Sequence, residues 1–171
     1  MSVRIWVEGR RVDDGAAISP IDHGVTVGDG VFETAKVENG RVFALEMHHD
    51  RMDRSLAGLG LPKLDRAKVD DGIAAVLEGD QIDFGRLRYT VTGGVGPLGS
   101  DRGDAPPTHI VTASAVPRPA PTTKVATVRW TRNVQGIHAI NERQLGEEGT
   151  PGRVTARLAE VFSERQDELL S

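Results

Sequence analysis

Cysteine is absent from the 171 residues, which excludes disulfides, thiolate metal sites and cysteine nucleophiles together. A basic excess is lacking too. The chain has 21 Lys and Arg against 25 Asp and Glu, leaving no cationic field to hold nucleic acid or anionic lipid. No stretch approaches the roughly 20 apolar residues that span a bilayer. The opening Met1-Ser2-Val3-Arg4-Ile5-Trp6-Val7-Glu8 shows neither an apolar run nor a small-residue cleavage pattern. These absences predict a soluble, cytoplasmic protein that meets neither nucleic acid nor membrane. With 38% hydrophobic and 27% charged residues the chain can build a packed core. Its length suits one domain, or one and a fragment of a second.

The hydrophobic spacing supplies an element order. Val3, Ile5 and Val7 alternate with other residues before a turn at Glu8-Gly9 and a resumption at Arg11-Val12, which predicts a hairpin. Val31 to Val37 reads as a second strand, and Asn39-Gly40 is the turn that returns it as Arg41 to Leu45. Leu45, Met52, Leu56 and Leu59 then take helical spacing, weakened at Gly58 and Gly60. A second helix places Ala67, Ile73, Val76 and Leu77 near one face and stops at Gly79. Arg86 to Thr92 and His109 to Val116 are strands around a Gly93 to Pro107 loop. After a Pro117 to Pro121 linker, Lys124 to Trp130 is a strand. Pro151 to Leu170 is a helix, begun by Thr150-Pro151.

Several tempting motifs fail on context. Gly94, Gly96 and Gly99 have dinucleotide-loop spacing, but Pro97 and the Ser100 to Pro107 stretch cannot open the helix such a site needs. His48, His49 and Asp50 are consecutive, so a helix splays them about its axis and they cannot converge on a metal. His23, His109 and His138 have no acid or nucleophile at diagnostic spacing, and no serine sits in a nucleophile elbow.

The segment from Asp22 to Leu61 is more informative because its parts interlock. Asp22-His23-Gly24, then Gly28-Asp29-Gly30-Val31-Phe32-Glu33-Thr34, the Asn39-Gly40 turn, and Leu45-Glu46-Met47-His48-His49-Asp50-Arg51-Met52 follow in order. This set resembles the N-terminal domain of the class IV aminotransferases, which include branched-chain and D-amino-acid aminotransferases and aminodeoxychorismate lyase. Arg86-Leu87-Arg88-Tyr89-Thr90-Val91 and Gly93-Gly94-Val95-Gly96 extend the likeness over nearly all of the first 130 residues.

The resemblance implies an α/β fold with a two-layer domain over 1–120, and a remnant strand and helix of the second domain over 121–171. It also implies pyridoxal phosphate as cofactor, a small-molecule substrate and a homodimer. In the family the arginine of an H-x-x-R element holds the cofactor phosphate, a position that Arg51 occupies. A guanidinium can give a phosphate two parallel charge-assisted hydrogen bonds. From spacing alone, Arg51 pairing with Asp50 or Glu46 on the helix surface is the plainer reading. Phe32, Thr34 and Lys36 alternate on one strand face. By similarity that face lines the substrate pocket; the plainer alternatives are core packing for Phe32 and solvent for Lys36. Arg86 and Arg88 share a face where the family places an arginine for the substrate carboxylate.

One departure matters most. The family binds its cofactor as a Schiff base on a second-domain lysine, with a later glutamate at the pyridine nitrogen. The lysines here are Lys36, Lys63, Lys68 and Lys124, none in that context. Gly136-Ile137-His138 imitates the pattern with an imidazole, which cannot form the exchangeable adduct. Thr131 to Asn141 and Gly149 to Leu158 resemble the family's extreme C-terminal end. An internal deletion joined near Trp130 to Asn133 accounts for this arrangement. No catalytic residue is therefore expected. Arg51 alone offers about 1.5 to 3 kcal/mol against the roughly 4 kcal/mol that even a millimolar ligand needs, so weak cofactor binding is expected. The Gly93 to Gly99 loop and the Gly152-Arg153-Val154-Thr155 ending most resemble aminodeoxychorismate lyase, which releases pyruvate and forms 4-aminobenzoate for folate. Small-amino-acid, branched-chain or D-amino-acid aminotransferases are the neighbouring alternatives. A non-catalytic assembly module and a recruited Lys36 are two further readings.

Overall fold

A computed structural model describes residues 3–12, 17–79, 81–118, 139–140, 143–144, 153–166 and 170. The chain opens with β1 (Arg4–Val7) and β2 (Arg10–Arg11), paired antiparallel across Glu8-Gly9 as expected. A one-turn helix, α1 (His23–Thr26), follows; its N-cap Asp22 accepts a hydrogen bond from the Gly24 amide at 2.8 Å. The sequence reading missed it, because four residues are too few to establish a period.

β3 (Gly30–Glu38) and β4 (Arg41–Val42) form the second hairpin. Asn39 and Gly40 both take positive φ, 51° and 76°, the mirror-image turn that matches strand twist and that Asn-Gly tolerates. The return strand is shorter than the expected Arg41 to Leu45. Ala44, at φ 54°, swings the backbone out of the sheet and α2 (Leu45–Gly58) starts at once. α3 (Arg66–Leu77) is capped by Asp65, whose carboxylate accepts from the Lys68 amide. β5 (Phe84–Thr92) and β6 (Thr108–Ala115) flank the expected loop.

The strands make one antiparallel sheet in the order β2-β1-β6-β5-β3-β4. A short pair, β7 (Ala139–Ile140) with β8 (Arg143–Gln144), and a last helix, α4 (Arg153–Gln166), complete the described residues. The expected strand Lys124 to Trp130, the Gly136-Ile137-His138 string and the Thr150-Pro151 start lie outside them.

Strand alternation gives the sheet two unlike faces. Ala35, Val37, Leu87, Tyr89, Val91, Val111, Ala113 and Trp6 share one face and bury themselves against Met52 and Leu56 of α2 and Val69, Ile73 and Val76 of α3. Val69 takes the inward place expected of Ala67, which is exposed. The opposite face carries the even-numbered positions of β3 and β5. Cross-strand register sets Phe32 beside Thr90, Thr34 beside Arg88 and Lys36 beside Arg86.

Candidate functional site

Glu33 points to the helix-covered side of β3, where an acid is costly to bury unless it is paired. Two partners come from α2. The Nε of Arg51 donates to Glu33 Oε1 at 2.6 Å, and Arg51 Nη2 donates to Oε2. His48 Nδ1 lies 2.8 Å from the same Oε2. An ionised carboxylate only accepts, so the His48 proton sits on Nδ1. Asp50 and Glu46, the neighbours that spacing suggested for Arg51, bind Arg66 instead, at 2.7 and 2.9 Å. His49 is structural, as its place in the sequence suggested. Its Nε2 donates to Asp70, so its Nδ1 accepts from the Tyr89 hydroxyl at 3.1 Å. Burial pushes the Tyr89 hydroxyl far up, which keeps that proton in place.

Glu33 lies within the Gly28 to Thr34 motif, whose pattern alone assigns it no role. The signal that could have found it is a carboxylate at a strand position whose neighbours two residues away, Val31 and Ala35, face the core. Burial alone would raise its pKa, but the hydrogen bonds from His48 and Arg51 and the charge of Arg51 outweigh that and hold the carboxyl below the usual glutamate range. A depressed folded value contributes stability above the unfolded pKa and loses it as pH falls through the folded one. We therefore expect the urea midpoints of the unmodified protein and Glu33→Gln to converge as pH drops below about 4.5. A constant difference across that range would contradict this.

The opposite face holds the other residues singled out by sequence. Phe32 is 57% exposed rather than core, and the Arg88 guanidinium lies over its ring at 4.2 Å while donating to Thr34 Oγ1 at 3.2 Å. Arg86, also exposed, stands beside Lys36 in register. The β3–β5 register therefore puts Phe32, Lys36, Arg86 and Arg88 on one face of the sheet. Arg51 does not join them, because it rises from α2 on the other side of the sheet.

Lys36 departs from the solvent alternative, being only 1% exposed. Its Nζ is 3.3 Å from Glu38 Oε2 and donates to Gln166 Oε1 at 2.5 Å. The rings of Phe43 and Phe162 lie 4.8 and 5.6 Å from it. Phe162 and Gln166 belong to α4, so a C-terminal element covers this lysine. Phe43, Ala44 and Leu170 bury one another alongside.

A sequence model of amino-transferase class IV matches residues 30–141. The chain belongs to that family. Aminodeoxychorismate lyase of Bacillus subtilis is 32% identical over 103 residues, which are 58% of this chain and 34% of the relative. The class IV chain thus spans about a third of that relative's length. Among solved structures, 4-amino-4-deoxychorismate lyase from Pseudomonas aeruginosa superposes with a TM-score of 0.54 at 33% identity. A hypothetical aminotransferase from Mycobacterium tuberculosis in its PLP-bound form gives 0.58 at 27%. Each covers 67% of this chain and 40% of its own.

Class IV enzymes work with pyridoxal phosphate, and the residues here fit that group in part. Arg51 is 47% exposed, and Glu33 occupies only its Nε and Nη2 side, leaving the outer Nη1 and Nη2 edge suited to a phosphate. The covalent part does not fit. Lys36 is enclosed, Lys68 is paired with Glu8 at 2.6 Å, Lys63 lies in the segment between α2 and α3, and Lys124 is outside the described residues.

Proposed function

We propose that this chain carries the phosphate-holding and substrate-facing half of an aminodeoxychorismate-lyase-type class IV enzyme without the lysine that attaches the cofactor, and is therefore inactive or very weak on its own. The observation that carries this reading is the pairing of an outward-facing Arg51, clamped by Glu33, with a Lys36 shut between Glu38, Phe43 and α4. Arg51 supplies a phosphate contact, and Arg86 and Arg88 supply cationic groups for a substrate carboxylate. Phe32 gives that face an apolar platform. The intervening segment with the lysine and the pyridine-nitrogen glutamate is absent from our reading of the sequence, with 1–120 as the first domain and 121–171 as what remains of the second.

Identity to the B. subtilis and P. aeruginosa lyases supports the lyase lineage. A putative branched-chain-amino-acid aminotransferase of Methanocaldococcus jannaschii, 36% identical over 101 residues that are 58% of this chain and 35% of the relative, supports an aminotransferase lineage as the second reading. The purified protein is expected to lose all absorbance above the protein band after pyridoxal phosphate is added and dialysed away. A retained band, fixed by borohydride on one lysine peptide, would show that a lysine has been recruited and would overturn the proposal.

A further inference from the structure

We infer that Glu33 is the positioning residue of an anion site on Arg51, turning the outer edge of the guanidinium toward a phosphate monoester. The inference rests on the reading above that Arg51 carries the cofactor phosphate. A guanidinium has five N–H donors in one plane and two edges that can each take a two-oxygen acceptor. Glu33 fills the Nε and Nη2 edge with both of its oxygens. The Nη1 and Nη2 edge has no protein acceptor among the described residues, and it belongs to a side chain that is half exposed.

The clamp is itself rigid. Glu33 sits within β3, in register with Tyr89 of β5, and its Oε2 is also fixed by His48. A long side chain that would otherwise sample many rotamers is held in one before any ligand arrives. The same carboxylate opposes the ligand's charge, so its contribution is geometric, and the two effects can be separated by substitution. Glu33→Asp keeps the charge but is one methylene too short to reach both nitrogens. Glu33→Gln keeps the length and one acceptor but removes the charge.

The test uses the full chain with pyridoxamine 5′-phosphate and pyridoxamine, amines that cannot attach covalently to a lysine. The readout is the ratio of their affinities by calorimetric or NMR titration, which a general loss of structure would not move selectively. We expect the unmodified chain to prefer the phosphate form and Arg51→Gln to bring the ratio to about one. Glu33→Asp should lower the ratio by about threefold or more, with Glu33→Gln within about twofold of the original or above it. A Glu33→Asp ratio unchanged while Arg51→Gln loses its preference would overturn the role of Glu33 and leave Arg51 standing. Equal ratios for the unmodified chain and Arg51→Gln would overturn both. Hydrogen exchange at the Arg51 Nε proton needs no variant beyond Arg51→Gln for assignment. Slow exchange is expected, and exchange at the rate of a free arginine would overturn the clamp even if Glu33→Asp fails to fold.

Discussion

Gly94→Ala is expected to destabilise the protein by about 3 kcal/mol or more. Gly94 has φ 79°, and a Cβ built there would lie 1.9 Å from the Pro106 carbonyl oxygen. Both terms act together, because the left-handed backbone already disfavours a side chain and the neighbour in the way is main chain. The displaced segment is also well tied. The Gly94 carbonyl accepts from the His23 amide at 2.8 Å, its own amide donates to Thr92 Oγ1, and Val95 bridges to Asp22. Moving it would pull on α1 and on the ends of β5 and β6 together. Gly58→Ala is the matching control. Nothing lies within 4 Å of its Cβ position, and in a helix that change stabilises by up to about 1 kcal/mol. Urea unfolding of both variants checks the pair; similar midpoints would mean that Pro106 gives way easily.

The second large effect lies at the other end of the sheet. Glu38 is 4% exposed and receives Lys36 at 3.3 Å and Arg118 at 2.5 Å. Glu38→Ala should therefore destabilise by about 3 kcal/mol, since removing one partner leaves a buried cation uncompensated. Lys36→Met combined with Glu38→Leu should return most of that stability, because apolar groups of similar volume often replace a buried ion pair without loss. A double variant no better than Glu38→Ala would show that the Lys36 contacts to Gln166 and the two rings matter more than charge balance.

Lys36 also predicts a pH dependence. Burial lowers its pKa, Glu38 opposes the shift, and the nearby Arg118 adds to it, leaving the ammonium below the usual lysine range. Between the folded and unfolded values the unfolded chain binds more protons, so this lysine makes stability rise with pH across that window. Lys36→Met should remove that rise, which chemical denaturation at stepped alkaline pH would read directly.

The parts of the fold legible in the sequence were those fixed by near neighbours. Asn39-Gly40 announced its turn, and the period-2 and helical spacings located β3, β5, β6, α2 and α3 to within a few residues. α1 was hidden because an Asp22 side chain, rather than a repeating pattern, defines it. At the candidate site, alternation put Phe32 with Lys36 and Arg86 with Arg88, but only the β3–β5 register brings the two pairs onto one face. The states of those side chains were not legible either. Lys36 is buried because Gln166, 130 residues later, folds over it, and no local pattern encodes such a distant cover. Arg51 meets Glu33 rather than Asp50 or Glu46 for the same reason, since α2 must first dock on β3 before their separation in sequence closes.

The sheet order has a consequence for how copies of this chain can meet. Its two nine-residue strands, β3 and β5, and the eight-residue β6 all lie inside the sheet, while the margins are β2 and β4, two residues each. The two-residue margins offer scarcely one repeat of donors and acceptors, but β4 pairs only with Val37 and Glu38, so Gly30 to Ala35 of β3 have no strand on their outer side among the described residues. That uncovered stretch of β3, rather than either short margin, is where another strand could extend the ladder.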